Sequence, residues 1–328
     1  MTSDTAAAAG VAAGDDFAER FAGIAANVER VVHGNSEAVR LALVCMMAEG
    51  HLLIEDIPGV GKTTLAKALA ASVRCEWRRV QFTPDLLPSD VTGVTIYNRE
   101  TATFEFRPGA IFANVVLGDE INRASPKTQA ALLEAMEEGQ VTADGTTHPL
   151  PRPFMVVATQ NPVERQGTYP LPDGQLDRFL MRVSMGYPGR GAEMRMLDIH
   201  GDGAGPAEGL EPVATADEVM AMVAVARSVH VARSLKTYIL ELAEATRSHR
   251  SLTLGMSPRS ALALLRATRA AAAAAGRDYL LPDDVKAMAP HVLQHRLVLA
   301  PDARVEGVGR REVLDQVLAR VPVPVGRG

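Results

Sequence analysis

Between Phe17 and Glu49 apolar residues recur at helical spacing, at Phe21, Ile24 and Val28 and again at Val39, Leu43 and Met46. Val31-Val32-His33-Gly34 interrupts them, so the pattern predicts two helices around a short turn. Leu52 to Ile54 is then an apolar run too short for a helix, Thr63 to Ser72 is helix-competent, and a mixed strand follows from Trp77 to Phe82. Strands alternating with helices predict a parallel sheet, because a crossover helix lets consecutive strands run in one direction. Between Asp85 and Pro108 the period changes to two. Val94-Thr95-Ile96-Tyr97 and Thr103-Phe104-Glu105-Phe106 flank a polar turn at Asn98 to Ala102, which predicts a β-hairpin inserted into or beside a helix. Ile111 to Leu117 reads as a buried strand ending in Gly118-Asp119-Glu120, and Thr128 to Glu138 as a helix. A second hairpin is expected from Gln140-Val141-Thr142 and Thr146-Thr147-His148, turned by Asp144-Gly145, a dipeptide suited to positive φ. Phe154 to Ala158 is another buried strand, closing in Thr159-Gln160-Asn161.

After Arg190 the β signals fade. Gly201 to Glu211 is rich in Gly, Pro and acidic residues and reads as a linker. Beyond it Asp217 to Val229, Ser234 to Ser248, Pro258 to Ala275 and Pro282 to Leu293 are helical, with Ser257-Pro258 and Pro282-Asp283 as start signals. The expected organisation is a disordered tail over 1–16, an α/β nucleotide-binding core over 17–200, a linker over 201–212 and a helical lid over 213–328.

The core carries the chemistry. Ile57-Pro58-Gly59-Val60-Gly61-Lys62-Thr63-Thr64 lies between the Leu52 to Ile54 strand and a helix, the layout of a phosphate cradle. Backbone N–H groups at a helix N-terminus converge on one point and carry positive dipole, which suits a polyphosphate. Lys62 supplies an ammonium for the β- and γ-phosphates and Thr63 a hydroxyl for magnesium, while Gly59 and Gly61 let the backbone approach the oxygens. The match to G-x-x-x-x-G-K-[ST] is incomplete, since Asp56 stands at the first glycine position. Downstream, Asp119 and Glu120 end an apolar strand where a parallel sheet opens its carboxyl-end crevice. Asp119 is placed to hold magnesium through the metal's water shell, and Glu120 to act as general base on the attacking water. Asn161 closes the adjacent strand, in reach of the γ-phosphate and the water. Arg178, in Leu176-Asp177-Arg178-Phe179, and Arg259, opening a helix at Ser257-Pro258-Arg259, are the cations available for transition-state charge.

Composition narrows the partners. The 328 residues are 47% hydrophobic and 22% charged, and 34 basic against 39 acidic side chains give a net charge of −5. A soluble globular chain of one large or two modest domains is expected, and the acidic balance disfavours nucleic acid. Cys45 and Cys75 lack C-x-x-C spacing and the histidines show no H-E-x-x-H arrangement, His291 and His295 alone standing four apart, so no metal besides nucleotide-bound magnesium is expected. Met1 to Asp16 has neither a basic start nor an apolar run, so a signal peptide is not expected, nor a membrane span elsewhere; a cytoplasmic protein is the expectation.

Taken in order, these segments resemble the AAA+ ATPases and, more closely, the MoxR family of the helix-2-insert clade. The likeness is carried by Leu53 to Thr63, Gln81 to Asp90, Asp119 to Ala124, Leu132 to Glu138, Ala158 to Pro162, Tyr169 to Pro172 and Gln175 to Phe179, and it spans about Phe21 to Pro324. The resemblance implies a P-loop AAA+ core with a parallel sheet, two inserted hairpins and a C-terminal all-α lid. It makes Pro58, Gly59, Val60, Gly61, Lys62, Thr63 and Thr64 the Walker A loop, Asp119 and Glu120 the Walker B pair, and Asn161 sensor 1. Arg178 becomes an arginine finger acting across a subunit boundary, with Arg123 as its rival, and Arg259 the lid's sensor 2. Val31 to Gly34, with Val32, corresponds to the adenine pocket. ATP and Mg2+ are implied as cofactors, and a homo-hexameric ring as the assembly. Also implied is a chaperone-like output on a von Willebrand factor A domain protein or a metalloenzyme client. Open alternatives are a DNA-directed motor, a nucleotide-switched scaffold and a small-molecule kinase.

Overall fold

The computed structural model describes residues 2–57, 59–161, 167–200 and 210–324. The chain begins with α1 (Thr2–Glu29), α2 (Ser36–Met47), β1 (Leu52–Glu55), α3 (Lys62–Ser72) and β2 (Trp77–Gln81). It continues with α4 (Pro88–Thr92), β3 (Gly93–Asn98), β4 (Thr103–Pro108), β5 (Val115–Asp119), α5 (Pro126–Glu138), β6 (Gln140–Ala143) and β7 (Thr146–Pro149). Then come β8 (Met155–Gln160), α6 (Asp173–Leu176), β9 (Met181–Val183), α7 (Arg190–His200), α8 (Ala216–Ser228) and α9 (Arg233–Arg247). The last elements are β10 (Leu252–Leu254), α10 (Pro258–Ala274), α11 (Pro282–Leu293), β11 (Val298–Leu299), α12 (Pro301–Val305) and α13 (Arg310–Arg320).

A five-stranded sheet in the order β2-β5-β8-β1-β9 forms the centre of the α/β part, with β2, β5, β8 and β1 mutually parallel. Val115 to Leu117 and Met155 to Ala158 are buried throughout, as expected of strands covered on both faces. The register aligns Gln81 with Asp119 and Glu55 with Gln160, so the strand ends that carry the chemistry meet along one edge. The run from Ile111, expected to be strand, joins the sheet only at Val115. Ile111 and Ala113 are buried in a tight turn in which Ala113 N donates to Ile111 O at 2.8 Å. Asn114 ends that turn, its side chain accepting from Glu76 N at 3.1 Å and donating to Pro153 O at 3.0 Å. Buried apolar residues there fill space beneath the backbone and make no ladder.

Both hairpins form. In the second, Asp144 (φ 48°) and Gly145 (φ 78°) make the positive-φ pair that matches strand twist. The hairpins are tied together by Phe106 of β4, whose ring stacks on His148 of β7 with centroids 3.8 Å apart. Helix α1 starts at Thr2, so residues 2–16 continue it and are not the expected disordered tail. Ala6 to Ala9 and Ala12-Ala13 have the highest helix propensity, against which Gly10 and Gly14 cost only about 1 kcal/mol each.

The chain separates into two compact units, one of Gly23–Leu171 with Val183–Met220, the other of Met1–Ala22, Pro172–Arg182 and Ala221–Gly328. The expected 201–212 linker lies largely outside the described residues. Its end is anchored in the first unit, where Asn27 Nδ2 donates to Glu211 O at 3.1 Å and Val213 N to Ser72 O at 2.9 Å. In the second unit α10 presents an alanine-rich buried face to α11, and its start is capped by Ser257, which accepts from Ser260 N at 3.0 Å. This region is helical but not all-α: β10 and β11 pair antiparallel, through segments too short to show a period of two. Neither Cys45 nor Cys75 is in a disulfide, and burial pushes the Cys75 thiol pKa up to about 11. Among the described residues no helix is long and apolar enough to cross a membrane.

Candidate functional site

The site grows from the turn after β1. Gly61, the N-cap of α3, has φ 93°, and Gly59 has φ 86°, a backbone that L side chains rarely adopt. No side chain caps α3, so its first N–H groups stay available to an anion. A Cβ placed on Gly59 would meet nothing within 4 Å, which marks open space over the loop. Lys62 Nζ donates to the main-chain oxygen of Asp56 at 2.6 Å. Burial lowers the Lys62 pKa, and the nearby charges of Asp56, Asp119 and Glu120 oppose that shift.

A cleft of about 520 Å³ brings Gly59, Gly61, Lys62, Thr63 and Thr64 together with Asp119, Glu120 and Asn161, and adds Arg79 and Gln81. Thr159, only 1% exposed, fixes the acidic pair. Its hydroxyl donates to Asp119 Oδ1 at 2.6 Å and accepts the Glu120 N–H at 2.9 Å. Glu120 sits in the left-handed region at φ 55°, an uncommon position for a residue with a Cβ and a frequent mark of functional sites. Asp119 Oδ2 accepts from Arg79 Nη2 at 2.6 Å, and Glu120 Oε2 from Gln81 Nε2 at 2.9 Å and Arg123 Nη1 at 3.0 Å. A Cβ on Gly118 would lie 3.1 Å from Ile121 Cγ2 and 3.3 Å from Phe82 Cε2, which explains the small residue before the pair. Thr159→Val leaves both the Glu120 N–H and Asp119 Oδ1 without this partner in a buried place. A stability loss of about 1–3 kcal/mol is expected, read as a lowered denaturant midpoint at unchanged slope.

Asp56, the departure from the loop's usual glycine, is 7% exposed and has a structural reason. Its Oδ2 accepts from Met185 N and Gly186 N, both at 2.6 Å, and from Ser184 Oγ at 2.9 Å, while Oδ1 accepts from Ile57 N at 2.8 Å. Burial by itself raises this carboxyl's pKa, and the donors from Gly186, Ile57, Ser184 and Met185 outweigh it and hold the pKa below the ordinary value.

Of the remaining sequence candidates, Val32 and Val60 are buried and Pro58 lies outside the described residues. Arg178 and Arg259 belong to the second compact unit. There Arg259 Nε lies 4.0 Å from Asp177 Oδ2, and Asp177 Oδ1 is 3.1 Å from Nη1 of the buried Arg296. Arg296 Nη2 also donates to Phe179 O at 2.7 Å, so the Leu176 to Phe179 motif is fastened to the C-terminal helices of its own unit. His295 beside it is fully buried, and burial, reinforced by the Arg296 charge, keeps its pKa well below the usual histidine value. Sequence reasoning missed Arg79, Gln81 and Thr159. The alternation in β2, which puts Arg79 and Gln81 on one face, was the signal for the first two.

The donors present suit magnesium. Among the described residues no group of three or more His, Cys, Asp or Glu could hold a metal by itself. The Thr63 hydroxyl and the Asp119 carboxylate are hard oxygen donors, too few for a protein cage and appropriate to an ion that keeps waters and phosphate oxygens.

Comparison with known proteins places the chain among ATPases. Residues 51–181 match the model of the ATPase family associated with various cellular activities, and residues 244–317 match the AAA lid domain. The chain is 50% identical over 301 residues to the uncharacterized protein YeaC of Bacillus subtilis, covering 92% of this chain and 94% of that one. It is 39% identical over 306 residues to Chaperone MoxR1 of Mycobacterium tuberculosis, covering 90% and 80%, and 32% identical over 345 residues to Protein MoxR of Paracoccus denitrificans, covering 94% and 98%. The crystal structure of a "putative ATPase" from Cytophaga hutchinsonii superposes with a TM-score of 0.89 at 36% identity, covering 95% of this chain and 97% of that one.

Proposed function

The chain belongs to the MoxR family of AAA+ ATPases, and from that premise we propose that it hydrolyses ATP with Mg2+ as a ring, a hexamer, and uses the cycle to remodel or mature partner proteins. The observation that carries the reading is the single cleft in which Lys62 and Thr63 face Asp119, Glu120 and Asn161. The free N–H groups of the α3 start and Lys62 bind the phosphate chain, and Thr63 and Asp119 hold the metal. Magnesium, when bound there, would supply neutralisation of phosphate charge. Glu120 takes the proton of the attacking water, for which its carboxylate must be released from Gln81 and Arg123. Asn161 orients that water. Val31 to Gly34, including Val32, lines the adenine side.

Arg178 is the arginine that the family resemblance offers to a neighbouring subunit, with Arg123, 3.0 Å from its own Glu120, as the rival. Arg259 is the second cation for the γ-phosphate, delivered from the helical region. The name of the Mycobacterium relative supports a chaperone-like output. A von Willebrand factor A domain protein, or a metalloenzyme receiving its metal, is the partner class that fits the family; nothing in the comparisons favours a DNA-directed motor.

Purified protein given ATP and Mg2+ is expected to release inorganic phosphate without a phosphorylated acceptor, and to sediment as a six-subunit ring with nucleotide. Absence of phosphate release removes the enzyme reading. A monomer whose specific activity is unchanged on dilution removes the shared site.

A further inference from the structure

The Asp56 carboxylate joins the start of the phosphate loop to a segment 128 residues away in sequence. Three donors from Ser184 to Gly186 converge on its Oδ2, and its own carbonyl oxygen accepts from Lys62 Nζ at 2.6 Å. The segment it grips is itself a junction. With the Asn35 amide turned to satisfy its partners, the nitrogen donates to Met185 O at 2.7 Å, beside the turn that ends at Gly34. A Cβ on Gly34 would lie 2.7 Å from Ala192 Cβ of α7 and 3.3 Å from Pro188 Cβ, so turn, junction and α7 are packed without slack.

We propose that Asp56 is a positioning residue that couples occupancy of the phosphate loop to the Ser184–Gly186 junction, and through it to the Val31 to Gly34 turn and to α7. The inference rests on the reading of the cleft as a nucleotide site. When Lys62 turns to a phosphate it leaves the Asp56 carbonyl, and the peptide unit it held is the one whose side chain grips Met185 and Gly186. A glycine at this position, as the common loop pattern has it, leaves the loop free to respond without moving the junction. The buried, fully partnered carboxylate makes the two move together.

The test is hydrogen–deuterium exchange of the full chain with and without ADP and Mg2+, beside a nucleotide-binding titration, on wild type, Asp56→Ala, Asp56→Gly and Asp56→Asn. In wild type, nucleotide is expected to slow exchange both in residues 59–65 and in residues 184–186. In Asp56→Ala and Asp56→Gly at saturating nucleotide, the slowing persists in the loop and is lost at 184–186, with binding weakened about tenfold. Asp56→Asn keeps an acceptor oxygen and restores most of the slowing. The readout is the nucleotide-dependent difference, which a merely structural residue does not change. Wild-type protein that binds nucleotide with no effect at 184–186 overturns the coupling without recourse to any variant. So does a folded Asp56→Ala or Asp56→Gly that keeps the full effect there. Wild-type protein that binds no nucleotide overturns the functional reading, and the coupling with it.

Discussion

Glu120→Gln is expected to lower ATP turnover by about two to three orders of magnitude while nucleotide binding stays within about twofold of wild type. The substitution is nearly isosteric, and the amide oxygen still accepts from Gln81 Nε2 and Arg123 Nη1, which reach the carboxylate at 2.9 Å and 3.0 Å. The backbone at φ 55° is stabilised by the Glu120 N–H to Thr159 bond, which does not involve the side chain. The basicity of the carboxylate is what the change removes. Water attack on the γ-phosphate then loses its proton acceptor, whereas Lys62 and the α3 N–H groups continue to hold the phosphates. Phosphate release and titration with a fluorescent nucleotide separate the two quantities. Turnover retained within a factor of a few places the general base elsewhere; binding lost together with turnover makes Glu120 a structural residue.

How much of this was legible in the sequence depends on distance along the chain. The phosphate loop and the Asp119-Glu120 pair each lie within a few consecutive residues at a strand end, and local pattern places them correctly, along with both hairpins and the helix after the loop. Thr159, Arg79 and Gln81 act on Asp119 and Glu120 from about forty residues away, through the β2-β5-β8 register, which no single segment encodes. Asp56 looked like a flaw in a motif because its partners at 184–186 are remote. The same blindness explains the strand expected from Ile111. Apolar character reports burial, and only the Asn114 side chain, bonded to Glu76 N and Pro153 O, decides where the ladder begins. The alanine-rich start was misjudged in the other direction: composition suggested disorder where propensity favours α1. Arg178 is a different case: its motif is legible in the sequence, but a role in a neighbour's site is one that no contact within its own chain can display.

That last point leads to the strongest test of a shared site. Arg178→Ala and Glu120→Gln are each expected to reduce turnover of a pure ring by about two orders of magnitude or more, one by removing transition-state charge and the other by removing the base. Mixed in equal amounts and allowed to reassemble, the two inactive proteins are expected to recover about a quarter of wild-type turnover. A site is whole only where an Arg178→Ala subunit, which keeps Glu120, is followed by a Glu120→Gln subunit, which keeps Arg178, and random head-to-tail assembly produces that order at roughly one interface in four. If Arg178 serves the site of its own subunit, each subunit in the mixture remains defective and no turnover returns. Arg123 provides the control. It reaches Glu120 of the same chain at 3.0 Å, so Arg123→Ala mixed with Glu120→Gln is expected to give only what the Arg123→Ala subunits hydrolyse by themselves. Recovery in that mixture, and none with Arg178→Ala, moves the trans-acting role to Arg123 while leaving the shared ring site intact.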